Sequence, residues 1–183
     1  ILLAGVVPYT PNGDAVLGDY LRRLIVQADL ASSSEIVDAA RYLAAFERHT
    51  ESLLRTLKQC CHASADNPAT VRLLAARLLA ATSEVLPLQR VIDDVYPALN
   101  VLRNDPEPDV RCDAAMALAA VACVHYETVD PTAQTMRQLE ALTADPEIDV
   151  RIAVIAALAR GATVPGTSFA VSSAGAVSAL AQH

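Results

Sequence analysis

The chain has 183 residues, enough for one domain or one short repeat array with a real core. It is 53% hydrophobic but 4% aromatic, with no Trp; Ala, Leu and Val carry the apolar content and favour helices packed through small side chains. A net charge of −7 argues against a nucleic-acid surface, and the longest apolar run, Ala114–Val124, is too short to span a bilayer.

The opening "ILLAGVVPYTPNG" lacks the Met and basic segment of a signal peptide and reads as an internal stretch of a longer protein. Asn12-Gly13 marks a turn and Asp14 an N-cap. Leu17, Tyr20, Leu21, Leu24, Ile25 and Ala28 then form a helical stripe. Ser32 and Glu35 have capping-box spacing, and Ile36, Ala40, Leu43 and Ala44 form the next stripe. Residues 14–48 therefore predict a divergent helical pair.

From about residue 50 the chain repeats itself. The strings "ADNPATVRLLAARLLAATS" (65–83), "NDPEPDVRCDAAMALAAVA" (104–122) and "ADPEIDVRIAVIAALARGA" (144–162) fall in register. Val71-Arg72 precedes Val110-Arg111 by 39 residues, and that pair precedes Val150-Arg151 by 40. Asp66, Asp105 and Asp145 keep the same step, as do Leu79, Leu118 and Leu158. Each copy predicts two helices. In the first (50–83) the apolar faces are Leu53, Leu54, Leu57 and Cys60, then Val71, Ala75, Leu78 and Leu79. In the second (88–124) they are Leu88, Ile92, Val95, Tyr96, Leu99 and Leu102, then Val110, Ala114, Ala117, Leu118 and Val121. Asp105 is expected as the N-cap between them and Pro106 as the first helical residue. The third (131–162) gives Met136, Leu139 and Leu142, a break at Asp145-Pro146, then Val150, Val154, Ala157 and Leu158. One such hairpin cannot bury its own apolar face, whereas stacked neighbours can, and a period near 40 is that of helical solenoids. After Gly161 the pattern fades: 163–173 reads as a loop with Pro165-Gly166, and 174–183 as a short helix or tail.

The pattern resembles HEAT repeats. The second copy carries the fuller signature: Pro97, then Asp105 at the turn, Val110-Arg111, Ala114-Ala115 and Leu118. The resemblance, which covers about 50–162, implies an all-α fold, a right-handed α-solenoid of HEAT-like helical hairpins. It also implies a ladder between successive repeats, with Asp66, Asp105 and Asp145 as one rail and Arg72, Arg111 and Arg151 as the other. Lys58 and Arg137 replace Pro97 in the other copies, whose first helices should be straighter. The stretches "LLAGV", "VRLLAARLL" (71–79) and "QRVIDDVYPALNVLRNDPEPDVR" (89–111) further resemble the RELCH-like family, proteins with a LisH motif, a coiled coil and HEAT repeats. That resemblance implies a Rab GTPase or a lipid-transfer protein as partner, in endosome-to-Golgi sterol and membrane traffic.

Little points to catalysis. No His-Glu dipeptide, Gly-rich phosphate loop or Ser/His/Asp arrangement can be read, so no enzyme and no cofactor are expected. "CCH" at 60–62 invites a metal reading, but Cys60 and Cys61 point about 100° apart on a helix, which favours buried or half-buried helix thiols. His49, His125 and His183 are expected as surface or capping groups. The rails are expected to stack repeats rather than bind a partner. Such a solenoid offers an extended concave surface lined by second helices, with Arg77, Asp113 and Arg160 as candidate partner-binding residues. The expected role is a non-catalytic protein-binding scaffold; a protein phosphatase scaffold or regulatory subunit is the alternative, since it suits the same period, and an enzyme on a HEAT scaffold is the minor one. The four free thiols, Cys60, Cys61, Cys112 and Cys123, suggest a reducing, cytoplasmic setting, at the periphery of endosomes or Golgi if the RELCH-like resemblance holds. No nucleic acid and no membrane insertion are expected. Homodimerisation is expected through the solenoid ends, Leu17–Ile25 or 174–183.

Overall fold

The structure is a computed structural model. It describes residue 16 and residues 33–45, 47–125, 129–164 and 168–180. Among the described residues every regular element is a helix and there is no strand, so the fold is all-α. The Asn12-Gly13 turn, the Asp14 cap, the Leu17–Ala28 stripe and Ser32 lie outside the described residues. The chain divides into two compact units, residues 1–98 and 99–183.

In the first unit α1 (Ser33–Ala44), α2 (Glu47–Cys60) and α3 (Ala69–Ser83) pack on one another. Ile36, Ala40 and Leu43 of α1 are buried, as are Leu53, Leu54 and Leu57 of α2 and Val71, Ala75, Leu78 and Leu79 of α3. Each buried leucine contributes about 1.5–3 kcal/mol relative to exposure, so these stripes are the main cause of the packing. His49 is also buried. It sits four residues before Leu53 on the same helical face, which corrects the expectation of a surface group.

The next helix is broken. A short α4 (Leu88–Arg90) gives way to a π-helical turn, Val91–Val95, and then to α5 (Tyr96–Arg103), within which the border between the units falls. The cause is Pro97. It has no N–H to offer the carbonyl four residues back, and its ring crowds that carbonyl, so the helix widens there and Tyr96 N–H bonds to Val91 O instead. The extra residue rotates everything upstream. Val91 and Val95 are buried, whereas Ile92 is exposed and Leu88 only half-buried, against the uninterrupted stripe expected. Where Lys58 and Arg137 replace the proline, α2 and α7 (Val129–Leu142) stay α-helical throughout.

The second unit holds α6 (Pro108–Val124), α7, α8 (Ile148–Ala162) and α9 (Ser168–Leu180). α8 packs along both α6 and α9, and α7 lies against all three. Ala114, Ala115, Ala117, Ala119 and Ala122 are buried on α6, so the helices meet through small side chains. α9 begins at Ser168, inside the stretch expected to be loop, and buries Ala170 and Ser173. Its Ala, Ser and Gly residues carry no large apolar stripe for a periodicity to register.

Candidate functional site: the arginine and aspartate rails

α3, α6 and α8 each begin just after a turn, and each carries the repeated arginine in its first turn or next to it. In all three the guanidinium folds back over its own turn. Arg72 Nη1 donates to Asn67 O at 2.7 Å. Arg111 Nη1 donates to Asp105 O at 2.8 Å and Pro106 O at 3.1 Å. Arg151 Nη1 donates to Asp145 O at 2.7 Å and Pro146 O at 2.9 Å. These carbonyls precede the helix and have no helical donor, so the arginine satisfies groups that would otherwise be left to water.

The aspartates act on the same turns from the other side. Asp105 Oδ1 accepts the N–H of Glu107 at 2.9 Å, and Asp145 Oδ1 that of Glu147 at 3.0 Å. Asp105 is therefore not the N-cap of α6: Glu107 takes that place, Pro106 lies in the turn and Pro108 opens the helix. α8 starts in the same register after Glu147, with Ile148 where α6 has Pro108. The shared cause is thus the aspartate-centred turn, which leaves Glu107 and Glu147 extended just before the helix begins.

Within the second unit one arginine reaches a different repeat. Arg111 Nε and Nη2 donate to Asp145 Oδ2 and Oδ1 at 2.8 and 2.9 Å, a bidentate pair. The side chains are 12% and 7% exposed, so solvent screens the pair little. Arg111 holds the Asp145 carboxyl below the usual carboxylate range, against the opposing effect of burial, and is itself pushed up. Asp66 stands exposed; in its copy Asn67 does the tying, its Nδ2 donating to Gln59 O at 2.9 Å and His62 O at 3.1 Å. Asn67 was not legible as a site because it has no counterpart in the other copies.

The first unit has its own charged cluster. Lys58 Nζ lies 2.6 Å from Asp94 Oδ1, Arg90 Nε 3.1 Å from Asp94 Oδ2, and Arg90 Nη2 2.7 Å from Glu51 Oε2. The π-turn delivers Asp94 to this network, since the widened turn faces it inward, where it is buried. Beside it an open groove of about 620 Å³ is lined by Ala44, Glu47, Thr50, Glu51, Val85 and Arg90. Arg77 and Arg160 are exposed and Asp113 is half-buried.

The thiols are quiet. Cys60 and Cys61 are buried, and Cys61 Sγ lies 3.1 Å from Leu57 O, while His62 stands exposed. Burial pushes the Cys112 and Cys123 thiols up, away from the reactive thiolate. His125 follows α6 at its C-terminal end, and His183 lies outside the described residues. Comparison with family models, with curated proteins and with solved structures returned no match for this chain.

Proposed function

We propose that the chain is part of a right-handed, HEAT-like α-solenoid that acts as a non-catalytic protein-binding scaffold. The observation that carries this reading is the arginine clamp. The same side chain closes the same turn in three successive copies, and in the second unit it also ties one repeat to the next. Residues repeated at this period serve stacking, which leaves the exposed, non-repeating positions for recognition. On that division of labour the exposed Arg77 and Arg160, with the half-buried Asp113, belong to the recognition surface. The RELCH-like resemblance of residues 71–79 and 89–111 supports a Rab GTPase as the partner class, with a cytoplasmic site of action at endosomes or Golgi.

The test is retention on the immobilised, folded chain of purified Rab GTPases, loaded with a non-hydrolysable GTP analogue or with GDP, and of purified protein phosphatase catalytic subunits. The reading expects retention of a Rab in the GTP form and its loss with GDP. Retention of a phosphatase catalytic subunit instead, with no Rab in either state, overturns the Rab assignment.

A further inference from the structure

α8 carries a row of large apolar side chains on its outer face. Ile148, Ile152 and Ile155 are 60%, 56% and 44% exposed, and Ala159, also exposed, continues the row. Steps of four, three and four residues keep all four on one side of the helix. Isolated exposed aliphatics are ordinary, but an aligned row of three isoleucines marks a contact surface.

The repeat itself says what kind of surface this is. One period earlier the same positions are Pro108, Cys112, Ala115 and Ala119 of α6. There Ala115 and Ala119 are buried, α8 packs along the helix, and Cys112 is near enough to Asp149 of α8 to feel its charge. The row is thus the helix-receiving face of the repeat.

The spacing also admits a second copy of the same helix. Positions 148, 152, 155 and 159 read the same in either direction. A second α8 laid antiparallel, with a two-fold axis through the middle of the row, sets Ile152 against Ile155 of the second copy. It sets the large Ile148 against the small Ala159 of the second copy. At about 100° and 1.5 Å per residue, Asp149 and Arg160 fall on the same flank of the row, near opposite ends. The two-fold therefore brings Asp149 beside Arg160 of the second copy. Both side chains are exposed, and no ion pair among the described residues uses either. We propose that this face of α8 is the interface of an antiparallel, two-fold homodimer. This places self-association on α8 rather than on 174–183, and it takes Arg160 into the dimer, which leaves Arg77 and Asp113 as the candidates for another partner.

Light scattering on the eluting full chain, from micromolar to near-millimolar concentration, tests it. The mass should rise from monomer to dimer. Ile152→Glu should remain monomeric at the highest concentration with an unchanged helical circular dichroism spectrum. Asp149→Arg should weaken the dimer at least about tenfold, and adding Arg160→Asp should restore it. A monomer at every concentration, or a dimer that survives Ile152→Glu, overturns the proposal. Failure of the double exchange to restore the dimer overturns the antiparallel arrangement.

Discussion

At the scale of single residues, Arg111 shows why one side chain recurs at a fixed period. Its Nη1 closes its own turn, and its Nε and Nη2 hold the carboxylate of the following repeat. A lysine could not do both, because it lacks the planar fork. The pair also makes stability depend on pH. The folded-state pKa of Asp145 is depressed, so its stabilisation is fully present above the ordinary carboxylate range and is lost as pH falls through the folded value. Asp145→Asn keeps an oxygen for the Glu147 N–H but removes the charge. At pH 7 it should cost about 2 kcal/mol by urea unfolding. Below pH 4 the two proteins should converge in stability. Parallel curves from pH 7 to pH 2 would show that the charge of Asp145 contributes nothing. The rails were legible because their period singles them out. Asn67 and the buried His49 were not, because each serves one site only.

At the scale of elements, the three copies differ most in their first helices, and the difference traces to Pro97. A strict 3.6-residue stripe puts Ile92 in the core, but the π-turn turns it outward and Val91 inward. Proline could be read in the sequence, whereas the response of the helix could not: a kink, a break and a widened turn all answer the same lost hydrogen bond. Substitution separates the registers. Val91→Ala should cost about 1–3 kcal/mol in thermal or urea unfolding, as a buried truncation does, and Ile92→Ala no more than about 0.5 kcal/mol. The reverse order would mean that the helix runs as uninterrupted α. The starts of α6 and α8 show the converse case. Both aspartates were legible, but their role lies two residues earlier than a cap, because the carboxylate binds the N–H of the residue that precedes the helix. α9 was half legible: its small residues announce close packing without saying where the helix begins.

At the scale of the whole molecule, helical composition and a period near 40 residues made the all-α fold readable before any coordinate. No helix among the described residues is long and apolar enough to cross a membrane. Recognition is the part a single sequence hides. Stacking residues repeat and so mark themselves, whereas residues that meet a partner need match only that partner and carry no period. The division between the two classes is the centre of the account, and the Arg111–Asp145 pair decides it. The measurement is a double-mutant cycle of Arg111→Ala and Asp145→Ala, read by urea unfolding of the full chain. The coupling should be about 1.5–3 kcal/mol, with the Arg111→Ala variant losing more than the coupling alone because its turn carbonyls lose their donor. A coupling below about 0.3 kcal/mol, together with at least about tenfold weaker Rab binding in either single variant, would contradict it and make the rail a binding surface.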